Sequence, residues 1–196
     1  MDVMTAILTR RSEHYLTEPA PSAQEFAELL AVAAAAPDHG QLQPWRWVLV
    51  DGAERQSLGA CFAEEASAER MADAAAKPLR APLLASLIFQ PRLPHKVPEW
   101  EQLAAASLVN HGMMLLLHAR GYGSIWRTGK NTDSPRVRQL LGVRPEERLL
   151  GWLYIGSPAG DRAAAARAPR DVTTKVTALR TPLHRLDHAE SAALSV

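Results

Sequence analysis

Hydrophobic positions in this chain fall into two rhythms that alternate along its length. Recurrence every three or four residues predicts a helix; alternation, or a short unbroken apolar run, predicts a strand. Asp2 can cap a short helix through Ile7 and Leu8 that ends near Thr9. After a turn at Arg10-Arg11-Ser12 and an extended connector at Glu18-Pro19-Ala20-Pro21, the stretch Ser22-Ala23-Gln24-Glu25 reads as a capping box. The helix it opens carries Phe26, Leu29 and Leu30 and continues to Ala36, where Pro37 stops it. Trp45-Arg46-Trp47-Val48-Leu49-Val50 predicts a strand that the Asp51-Gly52 turn closes. Residues 54–77 read as an alanine-rich helix, 82–89 as a second strand and 90–98 as a proline-rich loop.

The longest helical pattern covers residues 99–120, with Leu103, Leu108, Met113, Leu116 and Leu117. Its middle is apolar or small on nearly every face, which predicts burial all round, in a core or a dimer interface. A membrane span needs ~20 largely apolar residues, and Gln102, Asn110, His111, His118 and Arg120 interrupt this one. Gly121-Tyr122-Gly123 ends the helix, and Ser124-Ile125-Trp126-Arg127 predicts a strand stopping at Thr128-Gly129. A short helix over 135–141 and an apolar, central strand over 148–156 follow. The elements mix along one chain without an internal repeat, giving an α+β or three-layer α/β domain over residues 1–158. Residues 159–196 are expected to be a tail packing on the domain or on a partner chain.

Composition narrows the function classes. With 196 residues, 47% hydrophobic and 22% charged, the chain fits one soluble domain with a real core. A net charge of +1, from 22 basic and 21 acidic residues, provides no field for nucleic acid. A single cysteine, Cys61, excludes an intrachain disulfide and lends secretion no support. Cys61 stands next to Phe62 and is expected to act as a small buried hydrophobe. Met1-Asp2-Val3-Met4 lacks the basic start of a signal peptide, so no membrane partner and a cytoplasmic location are expected.

Candidate chemistry begins at Arg10-Arg11-Ser12. Two guanidiniums and a hydroxyl can grip a phosphate without a metal, although an arginine pair at a helix C-terminus can equally serve the last carbonyls. His184 and His188 stand four apart and could share a helical face, but a metal site needs a third ligand and none is near. Trp45, Trp47, Trp126 and Trp152, taken singly, read as core residues.

Four segments in order do more than any one of them: Arg10-Arg11-Ser12; the stretch from Ala36-Pro37-Asp38-His39-Gly40-Gln41 to Gln43-Pro44-Trp45; Gly121 through Ser124-Ile125-Trp126-Arg127-Thr128-Gly129; and Leu153-Tyr154-Ile155-Gly156. In this order and spacing they resemble the FMN-dependent nitroreductase family, and within it the small YdjA-like members. The resemblance implies an α+β fold of the nitroreductase type, with a central, mostly antiparallel sheet flanked by helices. It also implies a homodimer with FMN at the interface, in sites built from both chains.

Carried over residue by residue, Arg10 and Ser12, with Arg11 alongside, hold the FMN phosphate. His39 and Gln41 lie near the ring or the ribityl chain. Trp126, Arg127, Thr128 and Gly129 line the isoalloxazine, with a backbone N–H of Thr128 or Gly129 facing N5. No catalytic side chain is implied, because the flavin carries the redox chemistry. The implied activity is a ping-pong NAD(P)H oxidoreductase acting on nitroaromatics, quinones or related small electrophiles. A flavin carrier or sensor without turnover, or other flavin chemistry on the same fold, are the alternatives. This sequence has His14 where many members carry a lysine or arginine, and Gln41 where many carry asparagine, so Arg127 becomes a candidate for the cation beside the flavin.

Overall fold

The capping signals act where the sequence places them. Asp2 accepts from the Thr5 amide at 3.0 Å and starts α1 (Val3–Thr9), and Ser22 accepts from the Glu25 amide at 3.1 Å and starts α2 (Ala23–Ala33). The computed structural model of the protein describes residues 1–160 and 165–179. α2 ends three residues before Ala36, because the chain ahead of Pro37 tightens into i→i+3 bonds from the amides of Ala35 and Ala36.

The helix expected over 54–77 is two helices, α3 (Glu54–Glu64) and α4 (Met71–Ala76), joined by a break around Ser67. Folding back lets Leu58 and Phe62 of α3 and Ala74 of α4 enter one core, which a straight rod could not do. Gly59 makes the crossing close, since a Cβ there would sit 2.4 Å from the Ala75 carbonyl oxygen. The long helix is α5 (Glu99–Ala119), and α6 (Pro135–Leu140) is capped by Ser134.

Five strands form one sheet: β1 (Leu16–Thr17), β2 (Trp45–Val50), β3 (Leu83–Phe89), β4 (Gly123–Arg127) and β5 (Arg148–Pro158). β5 is central. β3 runs along one edge of it with β2 beyond, while β4 and then β1 share the other edge, every pairing antiparallel. The two-residue β1, for which the sequence reading predicts no element, is too short to show any alternation.

All of β3 is buried because helices cover both faces of the sheet. Leu83 and Ala85 pack with Phe26, Leu29, Val109 and Met113 of α2 and α5. Leu84 and Ile88 pack with Leu58, Phe62, Ala74 and Val137 of α3, α4 and α6. The architecture is therefore α+β, an antiparallel sheet between two helical layers.

Two features of this frame bear on the site. β5 carries an extra residue, Leu150, where the register with β3 shifts between Leu87 and Ile88. Next to it Gly151 sits at φ +114°, and a Cβ there would lie 2.3 Å from the Arg127 carbonyl oxygen. The end of β4 thus presses onto the one residue type that leaves room for it. In addition, α5 is not buried all round in this chain. It buries Ala105, Val109, Met113 and Leu117, whereas Trp100 is 69% and Leu108 44% exposed. Gly112, Leu115 and Ala119 on the same helix line an apolar groove of about 410 Å³ with Val3, Ala6 and Val32.

Candidate functional site

The chain leaving α1 runs beside β4. Ser12 forms a parallel bridge with Ser124, and the Glu13 amide donates to the Ser124 carbonyl at 3.1 Å. Arg10 donates to the Arg11 carbonyl at 2.8 Å, and Arg11 donates to the carbonyl of Ala165. A third arginine joins them from the tail. Arg167 donates to the carbonyls of Ile7 at 3.1 Å and Arg10 at 2.9 Å, while its amide bonds Leu8 at 3.0 Å. The carbonyl-satisfying role open to an arginine pair at a helix end thus falls largely to Arg167.

Among the described residues no carboxylate makes an ion pair with any of the three. The Nη1 of Arg11 is buried without a partner. Burial, then Arg167 and Arg11, hold the Arg10 pKa below the ordinary arginine value, with Glu13 acting in the opposite sense. A corner of clustered, partly desolvated positive charge beside a serine hydroxyl suits an anion.

At the far end of β4 lies a cavity of about 510 Å³. Trp126, Arg127, Thr128 and Gly129 line it, as the sequence reading placed them together. So do three further cations, Lys77, Arg80 and Lys130, and the aromatic rings of Phe62, Trp152 and Tyr154. No aspartate or glutamate is among its lining residues. The Arg127 guanidinium carbon stands 5.4 Å from the centre of the Tyr154 ring, and its Nη2 is 3.4 Å from Nδ1 of His14. Burial pushes the Tyr154 phenol up to about 12, against the pull of Arg127 and Arg80.

Two donors here are buried without partners: Nε of Arg127 and Nε1 of Trp152, a residue only 3% exposed. The Trp126 indole donates to the Leu150 carbonyl at 3.1 Å, so the β5 bulge fixes the ring at the cavity mouth. Aromatic walls, unpaired donors and a surplus of cations suit a flat, acceptor-rich ring that can carry negative charge.

Ser124, at the start of β4, and Thr128, just past its end, are about 13 Å apart at the ~3.3 Å rise of a strand. The anion corner and the ring cavity are thus separated by a distance that a ribityl phosphate joined to a flat ring can span. His39 and Gln41 are not brought to either end of β4 by this chain. Gln41 and Gln43 hold φ values of +50° and +45° in a loop tied by Asp38, and His39 pairs with Glu101 at 2.8 Å near the start of α5. Thr9, next to the triplet, bonds His118 near the end of α5 at 2.7 Å. Along α5, at ~1.5 Å per residue, these anchors are roughly 25 Å apart.

Sequence reasoning missed Lys77, Arg80, Lys130, Tyr154 and Arg167. Lys77 and Arg80 end an alanine-rich helical stretch and carry no local mark beyond solvated charge. Among the described residues no group of histidine, cysteine and carboxylates could hold a metal; His184 and His188 lie outside those residues. No helix of the described residues is long and apolar enough to cross a membrane.

Comparison with known proteins identifies the family and the fold. The sequence model of the nitroreductase family matches residues 7–157. The Escherichia coli K12 protein named "Putative NAD(P)H nitroreductase YdjA" is 35% identical over 182 residues, 90% of this chain and 99% of that one. A nitroreductase-like family protein from Bacillus cereus superposes with a TM-score of 0.80 at 25% identity, covering 92% of this chain and 97% of the other. The FMN and NADPH-dependent nitroreductase NfnB from sphigopyxis sp. strain HMH superposes at 0.68 with 20% identity, over 92% and 100% of the two chains.

Proposed function

The chain belongs to the nitroreductase family, and on that premise we propose that it is an FMN-dependent oxidoreductase. It takes hydride from NADH or NADPH and reduces nitroaromatics, quinones or related small electrophiles in a ping-pong scheme. The observation carrying this reading is the arrangement along β4, with an arginine-rich anion corner at one end and a cationic aromatic cavity with two orphaned donors at the other.

The residues fit FMN. Arg10, Arg11 and Ser12 hold its phosphate by charge-assisted bonds, and Arg167 keeps the triplet's backbone in place. Arg127, with Lys77 and Arg80 in the same cavity lining, would supply the positive charge beside the ring, and Thr128 and Gly129 would offer it a backbone N–H. Bound FMN supplies the hydride acceptor and donor chemistry. The protein's own contribution is to bind, to orient, and to place fixed positive charge where negative charge develops on reduction.

His39 and Gln41 are assigned to the ring of a second copy of the chain; this is supported by a cavity lining in one chain that includes neither, and by the tie of their loop to the end of α5 opposite the triplet. The exposed apolar face of α5 is the surface such a copy covers.

The test is simple. Purified protein is expected to be yellow, to bleach with NADH or NADPH without oxygen, and to regain colour on adding a nitroaromatic or a quinone. Flavin retained but not bleached by either nucleotide would identify a carrier or sensor instead. Protein that binds no FMN would refute the reading.

A further inference from the structure

Beside the triplet, α5 presents a histidine that the proposed chemistry does not use. His118 lies near the end of α5, and its Nε2 is 2.7 Å from the Thr9 hydroxyl. That hydroxyl has a single proton, which it gives to the Thr5 carbonyl at 2.7 Å. It must therefore accept from the ring, so His118 carries its proton on Nε2 and Nδ1 is the nitrogen left to titrate.

Thr9 is the last residue of α1 and Arg10 is the next. The ring thus fixes the point from which the triplet departs. Arg167 fixes the same turn from the tail through the carbonyls of Ile7 and Arg10.

We propose that His118 is a positioning residue for the Arg10-Arg11-Ser12 anion site, and that a phosphate bound there is accompanied by proton uptake on His118. The proposal rests on the reading of the triplet as a phosphate site.

The charged groups bearing on the imidazole are Arg10, which opposes its protonation, and Glu13, which favours it; partial burial opposes it most. Arg11 and Arg167 stand around Arg10, and Arg120 lies two residues further along the chain. Burial first and then Arg10 hold the His118 pKa below its ordinary value, against the opposite pull of Glu13. A phosphate monoester brings about −1.5 to −2 charges. Placed against Arg10, it offsets the arginine charge felt by the ring and raises the histidine pKa.

Protonation on Nδ1 leaves the Nε2–H bond to Thr9 intact, so the latch holds while the charge changes. By linkage, affinity then gains from proton binding as pH falls through the liganded pKa, by up to about tenfold for each unit separating the liganded from the free value. The phosphate's own second ionisation, near pH 6, weakens binding over the same range and is common to every variant.

The experiment is an FMN titration by fluorescence quenching of the full chain freed of flavin, at pH 8.0 and pH 5.5, for the parent, His118→Gln and Thr9→Val. Glutamine can still donate to Thr9 but does not titrate. The ratio of Kd at pH 8.0 to Kd at pH 5.5 is expected to be at least about threefold larger in the parent than in His118→Gln, within the range set by linkage. Thr9→Val is expected to weaken FMN at both pH values while keeping the parent ratio. Riboflavin, which lacks the phosphate, is expected to give the same ratio in all three proteins.

Equal FMN ratios in the parent and His118→Gln would overturn the inference and leave FMN binding standing. A riboflavin ratio that also changed in His118→Gln would overturn it, because the coupling would not run through phosphate. No FMN binding by the parent at either pH would overturn both the inference and the phosphate reading beneath it.

Discussion

At the scale of single residues, Arg10 and Arg11 are neighbours in sequence with different surroundings. Arg10 is partly desolvated and pressed by two other guanidiniums, so an anion offsets more unfavourable charge there. Arg11 spends one nitrogen on the Ala165 carbonyl, which ties it to the tail. Losing a charge-assisted hydrogen bond costs about 1.5–3 kcal/mol, a tenfold or greater loss of affinity. Arg10→Ala is therefore expected to weaken FMN more than Arg11→Ala, and equal Kd values for the two variants would contradict this. On the proposed reading Arg127 also bears on the flavin potential. It stands over Tyr154, beside His14, with its Nε buried and unpaired. Removing a fixed positive charge next to a reduced, anionic ring destabilises the reduced form. Arg127→Leu is thus expected to lower the two-electron potential of bound FMN by about 30 mV or more, equivalent to ~1.4 kcal/mol. A spectroelectrochemical shift below about 10 mV, a third of that contact-sized value, would show that the charge acts elsewhere.

At the scale of elements, the site depends on how β4 is pressed onto β5. Gly151 at φ +114° is the contact, and a methyl group there would overlap the Arg127 carbonyl oxygen. Gly151→Ala is expected to cost about 1–3 kcal/mol from backbone conformation alone, more with the clash, and to loosen FMN by displacing Arg127 and Thr128. Thermal melts and flavin titrations that match the parent would show that the strand end adapts. A second junction, Glu147, ties β2 to the start of β5. Its buried carboxylate accepts from Arg46, Gln90 and Arg144, and from the Arg144 amide. Burial opposes its ionisation, but these donors prevail and hold its pKa far below the usual carboxylate range. The folded value is thus below the unfolded one. The stability Glu147 contributes is complete above the unfolded value, ~4.3, and is lost as pH falls toward the folded one. Glu147→Gln is expected to lower Tm at pH 7 and to flatten the decline of Tm below about pH 4.5, where the unfolded carboxyl protonates. An unchanged slope in differential scanning calorimetry would place that acid sensitivity in another group.

At the scale of the whole molecule, α5 separates the triplet from the His39 loop by most of its length and leaves Trp100, Leu108 and an apolar groove uncovered. On the proposed reading, a two-fold copy laid on that face would close the groove and complete two flavin sites at once. Interfaces of this obligate kind exceed ~2,000 Å². Sedimentation of the parent is expected to give a dimer at micromolar concentration, and Leu115→Asp in the groove is expected to give monomers that lose FMN. A parent that sediments as a monomer with FMN bound would refute the two-chain site.

Much of this was written locally in the chain, and the limit of what was legible has a physical cause. Caps act over three residues and periodicity over one or two turns, so Asp2 and Ser22 marked their helices, and the apolar runs marked β2, β3 and β5. The early triplet offered phosphate-binding groups by its residue types alone, whereas the segment from Trp126 to Gly129 was marked as a candidate only by the family resemblance. What no local pattern carries is which distant segments meet. Lys77 and Arg80 enter the ring cavity because α3 and α4 fold back across the sheet, and Arg167 reaches the triplet because the tail returns to α1. The break within residues 54–77 falls at Ser67, a poorer helix former than the alanines around it, and the chance to bury Phe62 and Ala74 in one core favours the fold-back there. The sequence by itself determined most of the elements and the contiguous segments of the candidate site. The order of strands around β5, the Gly151 contact and the cationic lining were decided by long-range packing, which becomes favourable only once the whole sheet is assembled.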